Sequence, residues 1–157
     1  MYCVIYDGLC NLCVTLVKLL EMLDGGSQFR YVPMQDEATL QTYRVSAADC
    51  ELGMILIDQQ HPERRWQGSD AAEEIGKILP LGAIFVAAYR ALPGLKRAGD
   101  RIYAFIRDNR YQIFGKRQQV YQSAHPLCTD RCDRYFSPTP SADATAPKKS
   151  PRSDRAG

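Results

Sequence analysis

The chain has 157 residues, 45% apolar and 24% charged, with 20 Lys+Arg against 18 Asp+Glu and a formal net charge of +2. That length suits one domain with a single core. The apolar fraction excludes a wholly disordered chain, and the charge fraction excludes a polytopic membrane protein. Six cysteines are too sparse for a disulfide-stapled mini-protein.

The elements follow in chain order. Tyr2–Tyr6 (YCVIY) is short, apolar, β-branched and aromatic, the composition of a buried strand. Asp7-Gly8 ends it. Cys13, Leu16, Val17, Leu20 and Leu23 then recur at spacings of three and four, which predicts a helix with these residues on one face. Gly25-Gly26 stops that helix. Phe29–Val32 reads as a second strand closed by Pro33, and Asp36–Tyr43 as a short helix. Cys50 is expected in a loop before a third strand, Met54–Asp58. A turn over residues 59–63 leads to an antiparallel fourth strand, Arg64–Gln67. Ser69 or Asp70 is the expected cap of a helix running to Leu79, with Glu73 and Glu74 near its positive end. Residues 83–107 read as two helices split at Pro93-Gly94. Ser137–Gly157 holds Pro, Ser, Thr, Ala and charge, with no large apolar residue after Phe136. It is expected to be a disordered tail on a domain spanning residues 1–136.

The order β-α-β-α-β-β-α predicts an α/β sandwich with a mixed sheet flanked by helices, and a C-terminal helical extension. Its first βαβ unit should be right-handed.

The small net charge conceals a division. Residues 1–79 carry 6 basic and 12 acidic side chains, whereas residues 80–117 carry 8 basic and 2 acidic. These blocks either neutralise each other in the fold or leave a basic face for an acidic partner. MYCVIYDGLC lacks a basic n-region and a cleavage site, so no secretory signal is expected. The longest mostly apolar stretch, Ile78 to Tyr89, is too short to span a membrane. A soluble, cytoplasmic protein is the default. There, closely spaced cysteines serve catalysis or metal binding more often than structure.

The most informative stretch is Tyr6-Asp7-Gly8-Leu9-Cys10-Asn11-Leu12-Cys13. A CxxC pair at the first strand–helix junction of a βαβ pattern is a redox candidate. Cys10 falls near the first turn of the helix, where unpaired N–H groups and the macrodipole favour a thiolate. Cys13 lies one turn on. The expected sequence of events is attack by Cys10, a mixed disulfide, and resolution by Cys13. Asp7 is a candidate proton acceptor for Cys13 as well as a turn former with Gly8.

YDGLCNLC resembles the signature of the DCC-type thiol-disulfide oxidoreductase family, named for its Asp-x-x-Cys-x-x-Cys motif. Further similarity lies in Phe29-Arg30 with Gln35, Ser69-Asp70-Ala71-Ala72, Arg90-Ala91-Leu92-Pro93, Asp100, Tyr103, Asn109-Arg110-Tyr111 and Phe114-Gly115-Lys116-Arg117. The resemblance implies a thioredoxin-like fold and thiol-disulfide exchange with a disulfide- or thiol-containing substrate. Electrons would come from an external thiol system, with no organic cofactor. Where thioredoxins place a proline facing the CxxC, this chain has Cys50-Glu51-Leu52-Gly53. Gly53 would allow close backbone approach there.

The remaining candidates carry less. Cys3 belongs to the core of the first strand, and Cys50 is a third thiol near the pair. His125, Cys128 and Cys132 form H-x2-C-x3-C. With Cys10 and Cys13, Cys128 and Cys132 offer four zinc ligands in a non-enzymatic module. A second disulfide and two free thiols are the other readings. His61, beside Pro62, is a solvated turn residue. Arg107, Arg110, Lys116 and Arg117 alternate with Tyr103, Tyr111 and Phe114. That pattern also occurs in nucleic-acid sites. Here it is read as a helical appendage flanking the active site, with no nucleic-acid partner.

Overall fold

A computed structural model describes residues 1–127 apart from Leu81 and Pro93. Strands β1 (Tyr2–Tyr6), β2 (Phe29–Pro33), β3 (Ile55–Asp58) and β4 (Arg65–Gln67) form one sheet in the order β2-β1-β3-β4. β1 pairs parallel to β2, with Val4 opposite Tyr31, and antiparallel to β3, with Val4 opposite Leu56. β4 adds antiparallel to β3. Among the described residues six helices flank the sheet: α1 (Asn11–Asp24), α2 (Glu37–Thr42), α3 (Ala47–Glu51), α4 (Ser69–Ile78), α5 (Gly82–Ala91) and α6 (Leu95–Phe114). This is a thioredoxin-like arrangement.

Side chains alternate across a strand, so each strand feeds two cores. Val4, Tyr6, Phe29, Tyr31 and Leu56 pack on one face with Val14, Val17 and Leu20 of α1 and Ala71 and Ile75 of α4. Cys3, Ile5, Val32, Ile55 and Ile57 pack on the other, with Leu40, Val45 and Cys50. Each large apolar side chain buried this way contributes about 1.5–3 kcal/mol. Cys3 is core, as its strand position predicts.

Four local expectations are corrected. The buried stripe of α1 is Val14, Val17 and Leu20, while Leu16 and Leu23 are exposed. Cys10 is the cap residue, which sets the phase of the helix, and the stripe that reaches the sheet follows from that phase. Cys50 lies in a helix, α3, not a loop. Ser46 and Asp49 form a capping box that starts it, a signal present in the sequence as Ser-x-x-Asp. The cap of α4 is Gly68, with φ +63° and no side-chain cap bond. The expected caps are drawn elsewhere: Ser69 hydrogen-bonds Asp100 and Asp70 pairs with Lys96 of α6. Glu73 lies past the first turn of α4, where Asp70 is the acidic residue. It is buried and accepts from Arg90 at 2.6 Å and from Lys96 at 3.1 Å, docking α5 and α6 onto α4. The basic segment therefore partly neutralises the acidic one within the fold.

After Gly115 the chain crosses back over the start of α1 as a strap, residues 115–127. Its backbone pairs with Leu9, Asn11, Gly8 and Tyr31. The Glu21 carboxylate of α1 accepts from the Tyr121 hydroxyl at 2.8 Å, the Ala124 N–H at 3.1 Å and the Ser123 hydroxyl. Among the described residues, no helix is long and apolar enough to cross a membrane. Cys128, Cys132 and the expected tail over residues 137–157 lie outside the described residues.

Candidate functional site

The β1–α1 junction builds the site. Asp7 ends β1, and its carboxylate bends the chain by accepting the Leu9 N–H at 3.0 Å. Gly8 follows, where a Cβ would lie 2.7 Å from Val120 of the strap and 3.1 Å from Gln35 Oε1. Only glycine lets the loop pass between these neighbours. Cys10 then caps α1 with its sulfur, accepting the backbone N–H of Cys13 at 3.3 Å. An ordinary cap would be Ser, Thr, Asp or Asn. Here the same unpaired N–H is offered to a thiolate.

That geometry sets the protonation of the pair. The hydrogen bond from the Cys13 thiol does most to hold the Cys10 thiol well below its ordinary range. The Cys13 N–H adds to this, while burial and the Asp7 charge oppose it. The Cys13 thiol is pushed up, because its proton is held against Cys10 and because it is buried. The two sulfurs thus share one proton, with the negative charge on Cys10. Burial pushes the Cys50 thiol up as well, and drives that of Cys3 up to about 12. The other two described thiols are therefore uncharged at neutral pH.

The exposure of the pair is the reverse of what attack by Cys10 requires. Cys10 is 0% exposed. An antiparallel bridge to Lys116 and the bonds Asn11 N–H to Gly115 O (3.4 Å) and Arg117 N–H to Leu9 O (2.7 Å) lay the strap over it. Cys13 instead lines a cavity of about 220 Å³ beneath α6. Cys50, Asp7, Arg110 and Tyr103 share its wall, and Leu12, Leu16, Met34 and Met54 supply apolar surface.

Asp7 is buried and fully engaged. Its Oδ1 accepts from Leu9 and, at 3.1 Å, from the Gln35 amide. Its Oδ2 accepts from Arg110 at 3.3 Å and from the Tyr111 hydroxyl. Burial and that last bond push the Tyr111 phenol up to about 12. Arg110 stacks on the Tyr111 ring at 5.0 Å, and Lys116 lies 5.5 Å from the same ring. The basic and aromatic residues of α6 thus flank the cysteine pair. Junction residues alone could not reveal these anchors. The signal that could was Asn109-Arg110-Tyr111 within the family resemblance.

Gly53 has φ +123°, and a Cβ there would lie 2.6 Å from the Tyr103 hydroxyl. The close approach at this loop is made by α6. His61 is exposed beside Glu63. His125 sits in the strap, accepting the Tyr31 N–H at 3.1 Å through its carbonyl. No three His, Cys, Asp or Glu side chains converge as metal ligands among the described residues. The zinc reading rests on Cys128 and Cys132, which lie beyond them.

A family model described as DCC1-like thiol-disulfide oxidoreductase matches residues 4–116. The chain belongs to that family. The match spans β1 through α6 and contains the CxxC junction, Arg110 and Tyr111. No curated protein and no solved structure matches the chain.

Proposed function

We propose that the protein is a thiol-disulfide oxidoreductase of the protein-disulfide reductase type, acting through Cys10 and Cys13 in a reducing, cytoplasmic setting. The observation that carries this reading is the Cys13 N–H donating to the Cys10 sulfur at 3.3 Å at the cap of α1. It stabilises a thiolate one turn from a second thiol, the arrangement thiol-disulfide exchange needs.

In the reductive direction one sulfur of the pair attacks a substrate disulfide, forming a mixed disulfide and expelling one thiolate. The other sulfur then attacks the mixed disulfide, closing the Cys10–Cys13 bridge and releasing the second thiolate. Two electrons pass from the pair to the substrate, and an external thiol system restores the dithiol. Asp7 is assigned the proton transfer. One of its four donors gives way as it takes the thiol proton that the pair gives up, and it returns that proton to the departing thiolate.

Equilibration of the purified protein in thiol–disulfide buffers, followed by acid quench and alkylation, tests the reading. A reversible Cys10–Cys13 bridge is expected, with exchange abolished in both Cys10→Ser and Cys13→Ser. A pair that stays reduced across the buffer range, or exchange that survives Cys10→Ser, overturns it.

A further inference from the structure

The surroundings of the pair identify the kind of disulfide it can take. One way for an extended polypeptide to dock beside a cysteine pair is strand-like pairing, which needs free backbone groups there. Here the groups of the junction loop are already used. The Gly8 and Leu9 carbonyls accept from Tyr121 and Arg117, and the Asn11 N–H donates to Gly115. On the opposite side Tyr103 closes on Gly53. The open approach to the pair is the cavity under α6, and it reaches Cys13.

That cavity is small and mostly apolar. At about 220 Å³ it falls below the range of about 300–1,000 Å³ for sites that hold drug-sized ligands. It holds a group about as large as a single ring. Its wall includes the Arg110 guanidinium, which has unused hydrogen-bonding capacity. The Arg110 Nε–H is buried and has no hydrogen-bond partner among the described residues. The same guanidinium is held in place by Asp7 at 3.3 Å and by the Tyr111 ring. A buried donor left unpaired costs about 1–3 kcal/mol. A ligand oxyanion in the cavity would pair with this guanidinium through a charge-assisted bond.

We infer that this cavity is the substrate pocket of the exchange reaction, that it admits a compact disulfide with an apolar body and an anionic group bound at Arg110, and that it delivers the disulfide to Cys13 first. The inference rests on the exchange function proposed above and reverses the order of attack expected from sequence. The shared thiol proton moves to the Cys10 sulfur as the Cys13 sulfur attacks. One substrate sulfur joins Cys13 and the other leaves as a thiolate. Cys10 then passes its proton through Asp7 to a departing thiolate and attacks the Cys13 sulfur. The second substrate thiolate leaves as the Cys10–Cys13 bridge closes.

The test compares three probes on the full chain: dithiobis-nitrobenzoate (aromatic, anionic), dithiodipyridine (aromatic, neutral) and cystamine (aliphatic, cationic). The readout is the rate of closing the Cys10–Cys13 bridge, followed by quenched alkylation and peptide mass spectrometry so that other thiols do not contribute. Each rate is divided by that of the same probe with glutathione. The anionic aromatic probe is expected to exceed the neutral one by about tenfold, the worth of about 1.4 kcal/mol, and cystamine to be slowest. Leu16 lines the cavity and is 45% exposed, so it tolerates charge. Leu16→Glu should lower the anionic-to-neutral ratio severalfold and Leu16→Lys should not. Cys10→Ser should accumulate the probe on Cys13, while Cys13→Ser should leave Cys10 largely unlabelled. Equal normalised rates for all three probes overturn the pocket assignment while leaving the exchange function standing. So does labelling of Cys10 in Cys13→Ser at the wild-type rate. If no disulfide, small or protein-borne, closes the bridge, the exchange function itself fails and the inference fails with it.

Discussion

Asp7 and Arg110 are 103 residues apart in sequence, and in the fold an Arg110 N–H donates to the Asp7 carboxylate at 3.3 Å. Their side chains are 5% and 11% exposed, so the pair is almost fully withdrawn from water. It ties the end of β1, where the cysteine junction starts, to the last turns of α6. Removing one partner of a buried ion pair strands the other charge. Asp7→Asn should therefore lower stability by about 3–5 kcal/mol, measured by urea unfolding. Tyr111→Phe removes one donor but leaves both charges, and should cost about 1 kcal/mol. Equal losses for the two variants would show that the ion pair contributes nothing beyond a hydrogen bond.

The protonation of the pair makes a pH-dependent stability. The Cys10 thiol is lowered to about 6 from an ordinary 9.0, so the folded state binds this proton less tightly than the unfolded chain. The stabilisation is fully present above the unfolded value and is lost as pH falls through the folded one. Reduced wild type minus Cys10→Ala stability should therefore rise between about pH 6 and 9, by up to about 1.4 kcal/mol per pH unit. Thermal unfolding of both proteins across that window is the measurement. A flat difference would show that Cys10 carries no stabilised charge.

Glu21 fastens the strap by accepting from Tyr121, Ser123 and Ala124. Glu21→Ala leaves these donors without their acceptor and should loosen the cover on Cys10. Alkylation of Cys10 by iodoacetamide, resolved by peptide mass spectrometry, should accelerate by about tenfold or more, since loss of a few hydrogen bonds of about 1 kcal/mol each shifts the open population that far. An unchanged rate would place the barrier to Cys10 elsewhere than in the strap.

Gly53 is required by conformation and by contact. Its φ of +123° disfavours any side chain, and a Cβ would meet the Tyr103 hydroxyl at 2.6 Å. Gly53→Ala should destabilise by about 1–3 kcal/mol. Combining it with Tyr103→Phe should return the part due to the clash and not the part due to φ. Calorimetric unfolding of the single and double variants separates the two contributions.

What the sequence determined by itself is local. Short apolar, β-branched and aromatic runs set the first three strands and a turn signal set the fourth, Gly25 set the end of α1, and the strand–turn–CxxC order set Cys10 near the first turn of that helix. Each follows from neighbours within a few residues, so chain order carries it. The phase of α1, the helical setting of Cys50 and the cap of α4 were less legible. The Ser46–Asp49 box was present but short, and the two candidate caps of α4 are claimed by α6. Only the tertiary structure decided which cysteine is covered and which is approachable. That outcome depends on a strap and a helix that return to the first junction from about a hundred residues away. Sequence spacing carries no information about such a return, because it is set by packing and by a buried charge pair.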